Sequence, residues 1–285
     1  MHARRTITSM ALDLGRHLAS LHDQLRFHPV DRRIRASYAG QPVLDTTDAL
    51  VVWEPRRVVP MYAVPREDLA ATLTPCPTPE PPAQAPPVIG PARFGWHFHD
   101  GESFTLGVGD ASFEAAGFVA ADPDLGGRVI VEWAPFDWVE EDTPVTGHPH
   151  DPFKRIDVLP SSRHVVVSSG GTVLADTTRA VGLYETGLPV RWYVPRDDVR
   201  LDLLAPSDAT SVCAYKGQAA YFSLASGDDE DATDIAWTYV DPLHEVAAVK
   251  DYLCFYAERS DLTVDGVEVP RPDTLWRSRR TADLA

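Results

Sequence analysis

The chain carries 42 acidic against 26 basic residues over its 285, a net charge of −16. That balance opposes docking on phosphate backbones or anionic lipid, so neither nucleic acid nor a membrane surface is an expected partner. Three widely separated cysteines, Cys76, Cys213 and Cys254, with no C-x-x-C pair, argue against a disulfide framework or a structural zinc site and fit a reducing cytoplasm.

No apolar run approaches about 18 residues, and the N-terminus lacks a continuous apolar segment with a small-residue cleavage site. The chain is therefore expected to be neither secreted nor membrane-spanning. Its length suits two domains, each able to bury a core. Within residues 1–30, Leu14, Leu18, Leu21 and Leu25 recur at helical spacing. They predict a helix over roughly 9–26, capped by Thr8 or Ser9 and laid across the first core.

From Arg33 the chain changes to short runs rich in Val, Thr, Tyr and Trp, broken by Gly and Pro. Ile34–Tyr38, the Gly40-Gln41 step and Pro42–Leu44 read as a β-hairpin, continued by Val51–Trp53 and by Met61–Val64, which Pro65 ends. Between Thr74 and Pro91 lies a proline-rich insert, residues 74–91, expected to be an extended surface loop because proline donates no ladder hydrogen bond.

The pattern then repeats. Asp45-Thr46-Thr47 recurs as Asp176-Thr177-Thr178, Trp53-Glu54 answers Tyr184-Glu185, and Val64–Asp68 answers Val194–Asp198, at offsets of 131, 131 and 130. Asp122-Pro123 matches Asp241-Pro242 and Phe136 matches Phe255 at 119, with Phe118 and Trp133 opposite Trp237 and Tyr252. The order predicts two tandem copies of one all-β unit with minor helix, at 31–145 and 161–269, joined by a linker at 146–160 and followed by a tail at 270–285. In the second copy, Gly170-Gly171 marks a hairpin, Leu188–Val194 a central strand and Asp228–Asp231 a solvated tip. Residues 243–257 read as a short helix or a strand that packs Val246, Val249, Leu253 and Phe255 inward.

Candidate chemistry concentrates in Ser211–Ser223, where Cys213, Tyr215, Lys216 and Tyr221 fall within nine residues. The chain has 23 arginines but only three lysines, Lys154, Lys216 and Lys250, which points to a need for a compact, deprotonatable nitrogen at Lys216. In a regular strand Cys213 and Lys216 would face opposite ways, and they meet only if Gly217 or a bulge turns the chain. Two readings of Lys216 stand side by side. It is either an amine desolvated by Tyr193, Tyr221 and Trp237, with a lowered pKa, or a surface lysine lying over aromatics. Cys213 is likewise a nucleophilic thiolate or a structural thiol. Arg196 is a carboxylate or phosphate clamp, or, like its counterpart Arg66, a structural ion-pair partner of Asp197, Asp198 or Glu185.

The first copy has no lysine, and His97–Gly101 falls opposite Cys213–Gly217. His97 and His99, with Asp100 or Glu102, offer nitrogen and oxygen donors but no clear third ligand, so no metal is predicted. His148 and His150 in the linker read as solvated loop residues. No Gly-x-Ser-x-Gly or phosphate-cradling glycine loop is present.

The motifs Tyr184–Pro189, Tyr193–Asp198, Cys213–Gly217 and Ala236–Tyr239 together resemble the domain-of-unknown-function family DUF427, strongly in the second copy and loosely in the first. The linker from Gly147 to His164 is similar to that of tandem members. The resemblance implies a small, strongly bent β-sheet unit, half barrel and half tent, with a pocket on its concave side. The family's nucleotidyltransferase-like label has no counterpart in these residues, which lack the paired acids and glycine-serine loop of that chemistry. Ala214 stands where the family usually has proline. The expected function is binding of a small anionic or carbonyl metabolite in the second unit, without a cofactor. Lys216 and Arg196 would be its anchors, with Glu185, Tyr193, Tyr215, Tyr221 and Trp237 around it. An enzyme using Lys216, with or without Cys213 and Tyr215, and an interaction scaffold built on the insert are the alternatives. Oligomeric state is left open.

Overall fold

The computed structural model describes residues 11–226 and 231–274. Residues 228–230 of the expected acidic tip, and the expected caps Thr8 and Ser9, lie outside the described residues. The leucine pattern yields a shorter helix than its periodicity predicted, α1 (Leu14–Ser20), capped by Asp13, whose side chain accepts from the Arg16 N–H. It covers no core: Leu14 and Leu18 face solvent, and Leu25 packs at the edge of the first core. The helical spacing ends because the next residues are taken into an edge strand, where Pro29 is tolerated.

The first half contains β1 (Arg26–Val30), β2 (Ile34–Tyr38), β3 (Gln41–Thr46), β4 (Ala49–Trp53), β5 (Met61–Val64), β6 (Thr72–Cys76), β7 (Gly101–Val108), β8 (Ala111–Ala120), β9 (Val129–Val131), β10 (Asp137–Glu140) and β11 (Thr143–Val145). The second contains β12 (Ile156–Pro160), β13 (Val165–Ser169), β14 (Thr172–Thr177), β15 (Val181–Glu185), β16 (Arg191–Val194), β17 (Leu204–Cys213), β18 (Gly217–Leu224), β19 (Ala236–Tyr239), β20 (Leu253–Phe255), β21 (Asp261–Val264) and β22 (Val267–Val269). Each half is a seven-stranded sheet beside a four-stranded one. The large sheets run β1-β4-β5-β9-β8-β7-β6 and β12-β15-β16-β20-β19-β18-β17, and the small ones β11-β10-β2-β3 and β22-β21-β13-β14. Adding eleven to every label converts the first set into the second. The chain is thus mostly β, and none of its four sheets closes into a barrel. Among the described residues no helix is long and apolar enough to cross a membrane.

The ladders correct part of the sequence register. Phe118 pairs with Ile130 as Trp237 pairs with Cys254, so Phe118 and Trp237 do correspond. Phe136 and Phe255 do not: Phe255 lies in β20, whose first-half counterpart is β9, and Phe136 falls after that strand. The second half carries a longer β19–β20 connection, with a 3-10 segment at His244–Val249 that has no equally long counterpart before β9. Residues 243–257 therefore supply both a helical turn and a strand, and Val246, Val249, Leu253 and Phe255 all point inward. Likewise Gly101 corresponds to Ala219 rather than Gly217, because each lies opposite the end of the neighbouring strand, at Ala120 and Tyr239.

Period-two alternation builds the second half's interior on both faces of its large sheet. Trp192, Val194, Leu253, Phe255 and Ala236 pack toward the small sheet. Their neighbours Tyr193, Cys254 and Trp237 join Tyr221, Tyr239 and Tyr256 in an aromatic cluster on the other face, covered by Val246 and Val249 of the 3-10 segment. The first half shares one core between its sheets, from Ile34 and Leu44 to Val64, Phe118 and Ile130.

The proline-rich insert is less free than expected. Pro75 sits inside β6, an edge strand, and the later part of the insert is fastened down by buried Ile89, which bridges to Arg57, with Phe94 buried just beyond its end. Residues 156–160, read as linker, are the edge strand β12 of the second sheet.

Candidate functional site

Cys213-Ala214-Tyr215-Lys216 forms the tight turn between β17 and β18, closed by the Lys216 N–H on the Cys213 carbonyl (3.3 Å) and by Gly217 at φ +88°. That positive φ is the turn that the sequence required for thiol and amine to share a side. The Lys216 ammonium donates to Glu185 Oε2 at 2.6 Å, with its side chain 13 % and that of Glu185 6 % exposed. Glu185 ends the row Val181, Leu183, Glu185 along β15, whose first two members line the aromatic cluster, so the ion pair sits at that cluster's rim.

A second lysine arrives from the joint between the halves. Lys154 Nζ lies 3.4 Å from Glu185 Oε1 and donates to the Thr186 carbonyl at 3.1 Å. Two of the chain's three lysines thus share one carboxylate. The other nearby acid, Asp151, accepts from the Phe153 N–H (2.7 Å) and also feels the charges of Lys154 and Arg26. Burial alone would lower the Lys216 pKa, but the Cys213 sulfur and the Glu185 carboxylate reverse that and raise it. This corrects the expectation of a lowered pKa: aromatic surroundings would lower it, whereas the amine's neighbour is an anion. Glu185 in turn is held below its ordinary value, burial being outweighed by Lys216 and Lys154.

The joint touches the turn directly. At Gly147, φ is +83° and an added Cβ would sit 3.2 Å from the Ala214 nitrogen, so backbone approaches backbone there. The Asp151 N–H donates to the Tyr215 hydroxyl (2.6 Å), and the His150 ring stacks on Tyr215 with centroids 5.0 Å apart. His150 Nε2 donates to the Ala214 carbonyl at 2.9 Å. His148 is driven down to about 4 by burial and by the charges of His150, Lys154 and Lys216, so it is neutral at pH 7. Neither histidine is the solvated loop residue expected from sequence. Each is claimed by the contact between the joint and the turn.

The remaining candidates fall elsewhere. Tyr193 accepts from Trp237 Nε1 (3.0 Å) and Tyr221 shares a hydrogen bond with Ser211 Oγ (2.7 Å); all three rings are buried in the aromatic cluster. The cluster's far end is closed by Arg191, bonded through both Nη atoms to Glu258 at 2.7 Å and lying 5.7 Å from the Trp237 ring centroid. The expected concave hollow is therefore filled by its own side chains. Two cavities are one of about 160 Å³ in the first half, lined by Asp48, Arg66, Glu67 and Arg128 among others, and one of about 10 Å³ beneath Trp192. Arg196 is exposed and lies over Phe222, which packs toward the opposite face, so the structure does not bring it to Lys216. Asp198, one of its expected partners, is held by Arg179 (2.7 Å).

In the first half, Glu54, one residue past β4, stands at the strand end equivalent to that of Glu185, two residues beyond the Val52–Met61 pair as Glu185 is beyond Leu183–Arg191. Its Oε1 accepts from His97 Nδ1 (2.6 Å) and His99 Nε2 (2.9 Å), and its Oε2 from Arg57 Nε (2.9 Å). Arg57 Nη2 reaches the carbonyls of Arg93, Phe94 and Trp96, fastening the chain just after the insert over the carboxylate. Burial raises the Glu54 pKa, but the two histidines and Arg57 hold it well below the carboxylate range. Both histidines are spent on Glu54, and among the described residues no group of three or more His, Cys, Asp or Glu side chains is arranged to hold a metal.

Residues 157–266 match the family described as a domain of unknown function, DUF427. The DUF427 segment runs from within β12 to the turn after β21 and contains Glu185, Cys213, Tyr215 and Lys216. Lys154, from the joint, falls just outside it. No curated protein matches the chain.

Sequence reasoning missed Lys154 as a site residue and Lys216 as the partner of Glu185. The signal available was the lysine count itself: both unusual ammoniums go to one place.

Proposed function

We propose that the chain is a tandem of two copies of one β unit, and that the second binds a small anionic metabolite, a carboxylate or phosphate, at Lys154 and Lys216. The carrying observation is that two ammoniums converge on the single Glu185 carboxylate in a protein of net charge −16. The pair keeps a surplus positive charge at the rim of the aromatic cluster, and Lys154 remains 23 % exposed to receive an anion. The tandem reading is supported by the identical strand orders and by Glu54 and Glu185 at equivalent ends of matching strands. The copies differ in use: in the first, His97, His99, Arg57 and the chain just after the insert close over the glutamate.

A raised Lys216 pKa disfavours the enzyme reading, since an imine former or general base needs the free amine. It also disfavours a neutral carbonyl ligand relative to an anion. The scaffold reading loses ground because the insert is tied down at Ile89, and the chain just after it at Phe94. All three cysteines are free thiols, in keeping with the proposed reducing cytoplasm.

Calorimetric titration with sodium sulfate, a full dianion at pH 7, tests the reading at that pH. The intact chain gives saturable binding, and Lys154→Met, which leaves the Lys216–Glu185 pair in place, weakens it by roughly tenfold, the loss expected for one charged hydrogen bond. Binding unchanged in both Lys154→Met and Lys216→Met would overturn the proposal.

A further inference from the structure

The joint carries a second device, and its logic rests on what each ring nitrogen of His150 faces. Nε2 meets the Ala214 carbonyl at 2.9 Å, and a carbonyl can only accept. Nδ1 lies 3.7 Å from Glu140 Oε2, and an ionised carboxylate also only accepts. Nε2 must carry hydrogen to bond Ala214, whereas at 3.7 Å the Nδ1 side meets Glu140 as an ion pair, which forms only when the ring is the imidazolium. A neutral ring that keeps its proton on Nε2 would turn a lone pair toward the Glu140 carboxylate.

Each end of this bridge belongs to a different half. Glu140 ends β10 and is fixed by the Tyr62 hydroxyl (2.6 Å) and by Arg32. Ala214 lies in the turn that carries Lys216. We propose that His150 is a proton-operated clasp through which the first half sets the position of the second half's lysine turn. It acts on the anion site proposed above, but the clasp itself can be read without any ligand.

The groups facing His150 agree on the sign. Glu140 does most to raise its pKa, burial opposes, and the Ala214 carbonyl and Glu245 of the 3-10 segment add to the rise. Tyr215 presents its ring face, and its hydroxyl is occupied by the Asp151 N–H. The nearest other histidine, His148, is neutral at pH 7 and adds no repulsion. Tyr62 titrates far above neutrality, raised by burial and by Glu140. A raised folded pKa means that the clasp is fully closed below the ordinary histidine value of about 6.5 and is lost as pH rises through the folded value. Lysines titrate several units higher, so the release of the turn precedes any loss of ammonium charge.

The test is a proton NMR titration of the full-length chain from pH 5 to 9, following the His150 ring and the backbone amides of Ala214, Tyr215 and Lys216. The clasp predicts a His150 midpoint above 6.5 and the same midpoint in the turn amides. Glu140→Gln lowers the proton affinity of His150 by roughly tenfold, as removal of one close opposite charge should. His150→Gln, a neutral donor to Ala214, keeps the fold and abolishes the inflection in the turn. Turn amides that stay flat while His150 titrates, or a His150 midpoint unmoved by Glu140→Gln, would overturn the clasp. Failure of sulfate to bind at any pH would remove the anion site and leave this titration intact.

Discussion

Glu54, one residue past β4, and Glu185, the last residue of β15, stand at equivalent ends of matching strands, yet one is locked by two histidines and an arginine and the other by two lysines. A carboxylate stands at that rim in both halves, and the cations that meet it differ. At Glu185 the ion pair is mostly removed from water, so breaking it from one side leaves an uncompensated charge. Glu185→Gln should destabilise the chain by about 3 kcal/mol, within the range for splitting a buried pair. Lys216→Met should cost less, because Lys154 still neutralises the acid. Urea unfolding of both single variants and the double variant measures the coupling, and additive losses would count against the pair.

The first-half cluster makes a stronger demand. Glu54 and Arg57 are each 1 % exposed, and Arg57 also holds three carbonyls, of Arg93, Phe94 and Trp96, just after the insert. Arg57→Met therefore acts twice, stranding Glu54 and releasing the segment around Phe94. Limited proteolysis should cut within residues 77–88 several times faster in that variant, with a stability loss of about 3–5 kcal/mol. Unaltered cleavage would mean that the insert is held by Ile89 and Phe94 alone.

Acid should unfold the chain early. Glu54, Glu140, Glu185 and Glu258 are all held below their ordinary values despite burial, by His97, His150, Lys216 and Arg191 respectively, and Glu140 is brought to about 2. Depressed carboxylates contribute stability that is present above the unfolded value of about 4.3 and lost as pH falls through the folded ones. Urea midpoints should fall steeply between about pH 4 and 2, less so in Glu140→Gln. A midpoint constant over that interval would contradict the assignment.

Hairpin turns of one kind join β2 to β3 and β13 to β14, but the first uses Ala39-Gly40 (φ +48° and +77°) and the second Gly170-Gly171 (φ +55° and +80°). Alanine in the left-handed region carries a steric cost of roughly 1–2 kcal/mol. Ala39→Gly should therefore stabilise the chain by up to about 1 kcal/mol, after the added unfolded-state freedom is subtracted. Thermal unfolding reads this directly, and destabilisation would show the turn to be otherwise constrained.

These turns also show what could be read in advance. Gly170-Gly171 and the Ile34–Leu44 pattern announced their hairpins because turn chemistry is local, and the two halves share one strand order. The helix was overdrawn because Leu14, Leu18, Leu21 and Leu25 share a spacing that cannot report that Arg26–Val30 is claimed by a distant partner, β4. Glu185 was read as part of the site, but its link to Lys216 depends on a turn and a strand meeting in space, which spacing does not encode. Arg196 misled for the same reason: proximity in sequence to Asp198 was taken for pairing, while Arg179 reaches that acid across the fold.

The scarcity of lysine allows the central claim to be measured in one spectrum. A chain labelled with 15N-lysine gives three ammonium signals, from Lys154, Lys216 and Lys250. Sulfate titrated at pH 6 should shift the signals of Lys154 and Lys216 together, along one saturating curve, and leave Lys250 where it was. Three signals moving alike, or Lys154 and Lys216 unmoved at saturating salt, would contradict the account.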